Sequence, residues 1–326
     1  MADVHVLWLT HKGDGYVGAP QTQYGFEQEV AQLCDCKFAG EGWPLYRAGE
    51  SLDETVQRVM PDADWVIDKD NALFEEKPHD KGYMVGHFIS DLHGKHHYKI
   101  KSPVKYADAL NQTGYDAVFM RYPLIQGTGL RPDVVYDRLK CEKRWVPWSV
   151  EAERYHPRRE KKYDVSFIGT VGAAYPLRKE IWDNIYYVAR GHRILRQEAP
   201  RGKTYDRSVE TLQDSHLVGE DYRRVLGETR ILLFGCSRYR YALQKFFEAP
   251  ASGCLVVSNA PSMAKRLGFV GDDTFVEVDA GEWEDTLIYL LENPGVVKRI
   301  AQNGTRNVLK NHTHKVRARQ FLEMIT

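Results

Sequence analysis

The chain has 326 residues, of which 43% are hydrophobic and 12% are aromatic. This length favours two domains of about 150 residues each, because a single hydrophobic core rarely serves a chain of this size. Lysine and arginine together number 45, as do aspartate and glutamate, so the composition lacks the basic excess that is typical of nucleic-acid-binding proteins.

The first half alternates short apolar segments with helical patterns. Strands are predicted at residues 4–10, 63–68, 82–90 and 115–121, and helices at 23–33, 52–60 and 102–113. Each strand ends in polar residues. This alternation predicts an α/β class with a doubly wound parallel sheet.

The stretch "KRWVPWSVEAERYHPRREKKYDVSFIGT" contains two prolines and a charge-dense segment, and it predicts a hinge between two domains. Strands are predicted after it at residues 164–169, 229–235, 254–259 and 273–279. A helix and turn are predicted within 241–253, and the chain from residue 282 onward is predicted to be almost wholly helical. The second half therefore predicts another α/β domain.

Two such domains facing each other predict a cleft bordered by the carboxyl ends of both sets of strands, where ligands of open α/β sheets bind. Polar or glycine-rich loops follow Thr10, Ser90, Gly169 and Gly235, and all of them lie at predicted strand ends. We expect these loops to contribute to a ligand site.

"FIGTVGAAYPLR" reads as a strand, a small-residue loop and the start of a helix. Gly169 and Thr170 could offer backbone amides to an anion, to which the helix N-terminus adds its dipole. Tyr175 and Arg178 would lie near the same end. An ordinary strand–loop–helix turn is an equally good interpretation, because the segment lacks the G-x-G-x-x-G spacing of dinucleotide-binding loops.

"KFFEAPASGCLVVSN" combines a charged pair with a turn of small residues. Lys245 offers a point charge suited to a phosphate, and Glu248 offers two oxygens suited to the vicinal hydroxyls of a ribose. Gly253 would let a ligand lie against the backbone, and Arg178 would supply a second phosphate contact. Together these features predict a site for a nucleoside diphosphate.

These segments, with "NGTRNVLKNHTHKVRARQFLEMI", resemble the group 1 glycosyltransferases of the GT-B fold, particularly the branch with spore-maturation CgeB-like enzymes. Lys245 replaces the arginine of the family's R-x-F-E segment, and Glu248 matches its ribose-binding glutamate. Arg240 stands where the family carries a first, sugar-facing glutamate. The resemblance covers residues 164–325 well and the first half in outline.

The resemblance implies two Rossmann-like domains and a metal-free, cofactor-free reaction with a UDP- or GDP-linked sugar. Residues 1–155 would bind the acceptor and 156–312 the nucleotide-sugar donor, while 313–326 would form a helix that crosses back to the first domain. The acceptor stays open among a glycan, a protein, a lipid and a modified nucleic acid. The stereochemical outcome and oligomeric state also stay open.

The catalytic base is predicted within "GHFISDLHGKHH", which ends a predicted strand. Asp91 or His93 could deprotonate an acceptor hydroxyl. A metal site formed by the histidines is an alternative, although their spacing fits no established ligand pattern. Gly18, in the loop 13–18, could approach the donor from the other domain.

Three other interpretations stay open. Asp68 and Asp70 in "WVIDKDN" could form the metal-binding D-x-D of a GT-A glycosyltransferase. A nucleotide-sugar 2-epimerase shares the two-domain fold, and a non-catalytic sugar-nucleotide-binding protein could descend from either enzyme.

The cysteines and the amino terminus predict a cytoplasmic protein. The five cysteines are odd in number and scattered, as expected of reduced thiols. We expect neither a membrane span, since no run of about 18 apolar residues occurs, nor a signal peptide.

Overall fold

The computed structural model of the chain describes residues 4–10, 19–69, 82–89, 102–122, 131–199 and 215–326. These residues form two compact units. The first contains strand His5–Leu9, residues 23–147 and the C-terminal Arg317–Thr326, and the second contains Trp148–Val316. The division falls after Pro147 rather than after residue 155.

The first unit is built on a six-stranded parallel sheet with the order β2-β1-β3-β4-β5-β6. Its strands are β1 (His5–Leu9), β2 (Asp35–Ala39), β3 (Trp65–Lys69), β4 (Met84–Ile89), β5 (Ala117–Met120) and β6 (Glu142–Trp145). Its helices are α1 (Ala19–Ala31), α2 (Leu52–Val59), α3 (Pro103–Thr113) and α4 (Arg131–Arg138). The first four residues of α1, 19–22, are assigned to the second unit.

Alternate residues of β1 supply the two cores of this unit, because successive side chains of a strand point to opposite faces of the sheet. Leu7 and Leu9 belong to one buried cluster, and Trp8 belongs to the other. Phe321, from the C-terminal segment, packs on Trp8 with ring centres 5.6 Å apart. This contact attaches the end of the chain to the first unit.

The second unit has a five-stranded parallel sheet with the order β11-β10-β9-β7-β8. Its strands are β7 (Tyr163–Ile168), β8 (Ile194–Gln197), β9 (Thr229–Leu233), β10 (Leu255–Ser258) and β11 (Val276–Glu277). The helices are α5 (Pro176–Val188), α6 (Gly219–Glu228), α7 (Lys245–Ala251), α8 (Trp283–Glu292), α9 (Pro294–Asn311) and α10 (His314–Ile325), the last of which ends in the first unit.

The two parallel sheets confirm the predicted α/β class, but the sequence pattern does not predict β2, β6 or β8. All three lie at the edge of a sheet. Their sequences, "DCKFA", "EKRW" and "ILRQ", are partly exposed and lack the apolar run of a central strand. The first three residues of the predicted hinge, 143–145, belong to β6, and the division after Pro147 falls within the rest of that stretch.

Candidate functional site

Three loops of the second unit lie at the carboxyl edge of its sheet, where ligands of open α/β sheets bind. They follow β7, β9 and β10, which are neighbours in the sheet. After β10, the side-chain oxygen of Asn259 accepts a hydrogen bond from the amide of Cys236 at 2.6 Å, which ties this loop to the one after β9.

Arg178, in the first turn of α5, ties the loop after β7 to the loop after β9. Its Nε donates to the carbonyl oxygen of Gly235 at 2.6 Å, and its Nη1 donates to that of Thr170 at 3.1 Å. The guanidinium lies 3.9 Å from the ring centre of Tyr175, and the residue is buried. Arg178 therefore acts as a brace between loops, and the predicted phosphate contact stays a prediction.

The predicted anion-binding loop keeps only part of its amide groups for a ligand. The Gly169 amide donates to the carbonyl oxygen of Gln197 at 3.1 Å and so continues the ladder between β7 and β8. The predicted contacts of Gly169 and Thr170 with the donor stay predictions. Tyr175 is the N-cap of α5 but makes no side-chain capping bond, and Pro176 follows it. The first turn of α5 thus lacks the side-chain cap that many helices have.

Glu248, on α7, is a buried carboxylate held by two tyrosines. The Tyr155 hydroxyl donates to Oε1 at 2.9 Å, and the Tyr222 hydroxyl donates to Oε2 at 2.8 Å. Burial raises the pKa of Glu248, whereas Lys245 and the two tyrosines favour its charged form. Burial and the neighbouring carboxylate raise the pKa of both tyrosines well above the usual value, so both remain donors at neutral pH.

Lys245 begins α7 one turn before Glu248 and is half-buried. Burial, with a smaller contribution from the charge of Arg178, lowers the pKa of Lys245 to about 8. Its Nζ lies 5.8 Å from the ring centre of Tyr222, and no described residue forms a hydrogen bond or ion pair with it. A partly desolvated cation of this kind is suited to an anionic ligand.

Arg240 occupies the loop between β9 and α7 in the left-handed backbone region, with φ of 51°. Its carbonyl oxygen accepts from both the amide and the hydroxyl of Ser262, at 2.6 and 2.8 Å, and these bonds hold that conformation. Its guanidinium lies 3.3 Å from a carboxylate oxygen of Asp279. The predicted contact of Arg240 with the donor stays a prediction.

Gly253 does not have the predicted role of letting a ligand approach the backbone. It has φ of 71°, and a Cβ atom at this position would lie 2.9 Å from side-chain atoms of Pro157. The close approach is therefore made by the chain itself, before β10 begins and away from the carboxyl edge of the sheet.

In the first unit, Asp68 has protein partners rather than a site open to a metal. Its carboxylate accepts from the Tyr115 hydroxyl at 2.6 Å and lies 3.3 Å from Nδ1 of His87, and all three residues are buried. The described part of the chain contains no group of three or more histidine, cysteine or acidic residues that could hold a metal ion.

Several predicted residues lie outside the described residues: Gly18, Asp70, Asp91, His93 and His96. The predictions that assign them to the donor site, to a metal or to the catalytic base stay predictions.

Sequence reasoning missed Tyr155 and Tyr222. They are separated from Glu248 by 93 and 26 residues, and no local spacing relates them to it. The one available signal is their residue type, because a buried carboxylate requires donors and a tyrosine hydroxyl is a common one.

Comparison with known proteins gives one family match. Residues 182–323 match the model of a family described as glycosyl transferase-like. This match covers α7, with both Lys245 and Glu248.

Solved structures match along almost the whole chain. Sucrose-phosphate synthase from Thermosynechococcus elongatus is 13% identical, with 98% of each chain covered and a TM-score of 0.64. HepE from Anabaena, in a structure described with UDP-glucose, is 12% identical, with 98% of this chain and 99% of that chain covered and a TM-score of 0.67.

The chain has the GT-B fold, and its residues 182–323 match a glycosyl transferase-like family. The predicted fold is confirmed, and the family match agrees with the predicted resemblance over residues 182–323. The GT-A alternative is wrong because the chain has two parallel-sheet units. A putative UDP-N-acetylglucosamine 2-epimerase from Listeria monocytogenes also matches, with 12% identity, 99% of this chain and 96% of that chain covered, and a TM-score of 0.52. The fold is thus shared by epimerases.

None of the curated proteins searched matches this chain in sequence. Among the residues that the structure describes, no helix is long and apolar enough to cross a membrane.

Proposed function

We propose that the transferase takes its sugar from a UDP- or GDP-linked donor and passes it to a hydroxyl acceptor without a metal ion. One observation carries the proposal: a buried glutamate with two hydroxyl donors lies one helical turn from a lysine that no described residue pairs. The structure of HepE is described with UDP-glucose, so UDP donors are the first to test.

Glu248 binds the ribose of the donor. Burying a carboxylate is costly unless hydrogen bonds compensate it, and Tyr155 and Tyr222 supply two of them. Each carboxylate oxygen can accept more than one hydrogen bond, so both retain capacity for the vicinal hydroxyls of a ribose. The tyrosines thus fix the carboxylate before the donor arrives.

Lys245 binds the diphosphate and stabilises it as the leaving group. Transfer breaks the bond between the anomeric carbon and a phosphate oxygen and leaves the electron pair on the diphosphate. A fixed positive charge stabilises that developing anion more than it stabilises the intact donor. The charge of Arg178, braced nearby, adds to the same field.

The acceptor hydroxyl forms the new bond to the anomeric carbon and gives its proton to a base. We assign that base to Asp91, with His93 as the alternative. The support for this assignment is their place in the sequence after β4, because residues that follow parallel strands lie at the ligand-binding edge of a sheet.

Donor turnover in a chelator tests the metal-free reaction. We expect release of UDP from UDP-sugars, with water or an added sugar as acceptor, to survive EDTA and to collapse in Lys245→Met. Lys310→Met, at an exposed position of α9, is the matched control and should keep its activity. Complete loss in EDTA that manganese restores would contradict the metal-free mechanism.

The same assay separates the transferase from an epimerase. An epimerase would change the configuration of the donor sugar without an acceptor, which NMR of the donor detects. Binding of UDP-sugars with neither release nor epimerisation would point to a non-catalytic protein.

We also propose a cytoplasmic location. The support is that Cys34, Cys36, Cys141, Cys236 and Cys254 are all free thiols, as expected in a reducing compartment.

A further inference from the structure

The second unit contains a large cavity at the edge of the sheet opposite to the candidate donor site. Its volume is about 920 Å³, within the range of pockets that hold small organic ligands. Asp164 near the start of β7, Arg230 and Ile231 in β9, and Gly253 before β10 all line it. These residues mark the amino ends of three neighbouring strands, whereas Glu248 and Lys245 belong to the loops and helix beyond the carboxyl ends.

One face of α9 forms the opposite wall. The residues of α9 that line the cavity recur every three or four positions, as one stripe of a helix does: Pro294, Val297, Lys298, Ala301, Gln302, Thr305 and Arg306. Leu290 and Leu291, from the end of α8, extend the apolar part of the wall. The cavity is thus a wedge between a helix and the edge of a sheet.

The polar part of the lining is strongly basic. Lys161, Arg230, Lys298 and Arg306 line the cavity, and Asp164 is the one acidic residue among the lining residues. The Asp164 carboxylate lies 3.0 Å from a guanidinium nitrogen of Arg193, and this arginine holds the pKa of Asp164 below its usual value. The same carboxylate also lies 3.6 Å from a guanidinium nitrogen of Arg230, so the excess positive charge of the lining comes from Lys161, Lys298 and Arg306.

The four cations differ in how free they are to meet a ligand. Lys161 Nζ donates to the carbonyl oxygens of Gly227 and Thr229 at 2.7 and 3.0 Å, so it contributes charge from a fixed position. Lys298 and Arg306 lie on the exposed rim of α9. A ligand head group at the rim would meet these two side chains first.

We propose that this cavity binds an amphipathic anion, with an apolar chain or ring against α8 and α9 and a phosphate or carboxylate at the basic rim. Apolar walls alone would accept a neutral ligand, and a basic rim alone would accept inorganic phosphate. The combination selects a molecule that has both parts. The site is separate from the donor site and is independent of the sugar donor's identity.

Titration calorimetry with dodecyl phosphate, below its critical micelle concentration, tests the proposal. We expect saturable binding of one molecule per chain, at least about tenfold tighter than binding of dodecanol or inorganic phosphate, because the charged head adds charge-assisted hydrogen bonds. Binding of dodecyl phosphate that is no tighter than binding of dodecanol, or no tighter than binding of inorganic phosphate, would overturn the proposal, as would the absence of saturable binding.

Variants of the lining residues test whether dodecyl phosphate binds in this cavity. The double variant Lys298→Glu and Arg306→Glu should bind dodecyl phosphate at least about tenfold more weakly. Lys310→Glu, on the same helix but away from the cavity, should bind it like the native chain. Gln302→Trp should block the cavity without changing the charge. Circular dichroism and UDP binding check that each variant is folded. Native affinity for dodecyl phosphate in both the double variant and Gln302→Trp would show that the probe binds elsewhere and would contradict the proposal.

Discussion

Burial and hydrogen bonding have opposite effects on the pKa of the Glu248 carboxyl. Burial is the largest influence and raises the pKa of the carboxyl, while the ammonium of Lys245 and the hydroxyls of Tyr222 and Tyr155 lower it. Lys245 and the two tyrosines therefore favour the charged form against the effect of burial. The tyrosines are thus positioning residues: they act on the donor through the carboxylate.

Replacing Tyr222 by phenylalanine removes one of these donors. We expect the pKa of Glu248 to rise further, so that UDP-glucose affinity falls relative to the native protein and the difference widens as the pH decreases from 7.5 to 5.5. Titration calorimetry across this pH range measures the ratio of the native affinity for UDP-glucose to that of the variant. Tyr289→Phe, at a side chain 53% exposed, is the matched control. A ratio that does not change with pH would show that Tyr222 does not act through the Glu248 carboxyl.

The lowered pKa of Lys245, about 8, gives the site a second pH dependence. The lysine is charged below this pKa and loses its charge above it. UDP affinity should therefore fall between pH 7 and 9, where the phosphates of UDP, with a last pKa near 6, no longer titrate. Lys245→Arg keeps its charge throughout and should bind UDP with a flat profile over this range. If UDP affinity fell equally in the native protein and in Lys245→Arg between pH 7 and 9, loss of charge at Lys245 could not be the cause.

At the scale of secondary-structure elements, the sequence predicts the central strands and, of the four edge strands, only β11. The last three residues of β9 and all four residues of β10 are buried, as expected of strands whose two faces are covered. β2 and β6 are edge strands, and their partly exposed residues carry no such run. Each of them is a strand because its backbone pairs with a strand that lies elsewhere in the sequence, β1 for β2 and β5 for β6.

The residues of the candidate site also differ in whether the sequence predicts them. Lys245 and Glu248 are predictable because they lie one turn apart on one short helix. The positions of Tyr155 and Tyr222 depend on long-range packing, and so does the role of Gly253, which contacts Pro157 rather than a ligand. Spacing in the sequence therefore identifies the charged pair but not the residues that orient it.

The turn between α7 and β10 requires glycine at position 253. Gly253→Ala would place a Cβ in a left-handed backbone conformation, which costs about 1–2 kcal/mol, and against the ring of Pro157. We expect the free energy of unfolding to fall by at least this amount in urea denaturation. Gly172→Ala is the control, because a Cβ there meets nothing within 4 Å and φ is not positive. Equal stability of the two variants would contradict this role.

At the scale of the whole molecule, two parallel-sheet units arise from two rounds of strand–helix alternation, and each unit has its own sheet and core. The last residues of the chain return to the first unit, where Trp65 Nε1 donates to the carbonyl oxygen of Ile325 at 2.9 Å. The GT-B fold is shared by enzymes of different chemistry. The fold alone therefore does not identify the reaction, and the proposed function rests on Lys245 and Glu248 in the second unit.

The central claim is that Glu248 binds the donor's ribose, and a binding cycle with two ligands and two proteins tests it most directly. UDP and 2′-deoxyuridine diphosphate are titrated into the native protein and into Glu248→Ala, with Glu292→Ala as an exposed control. A hydrogen bond to a charged acceptor contributes about 1.5–3 kcal/mol, so the native protein and the control should prefer UDP by roughly ten- to a hundred-fold. Glu248→Ala should lose most of this preference. An unchanged preference for UDP in the folded Glu248→Ala protein would contradict the account.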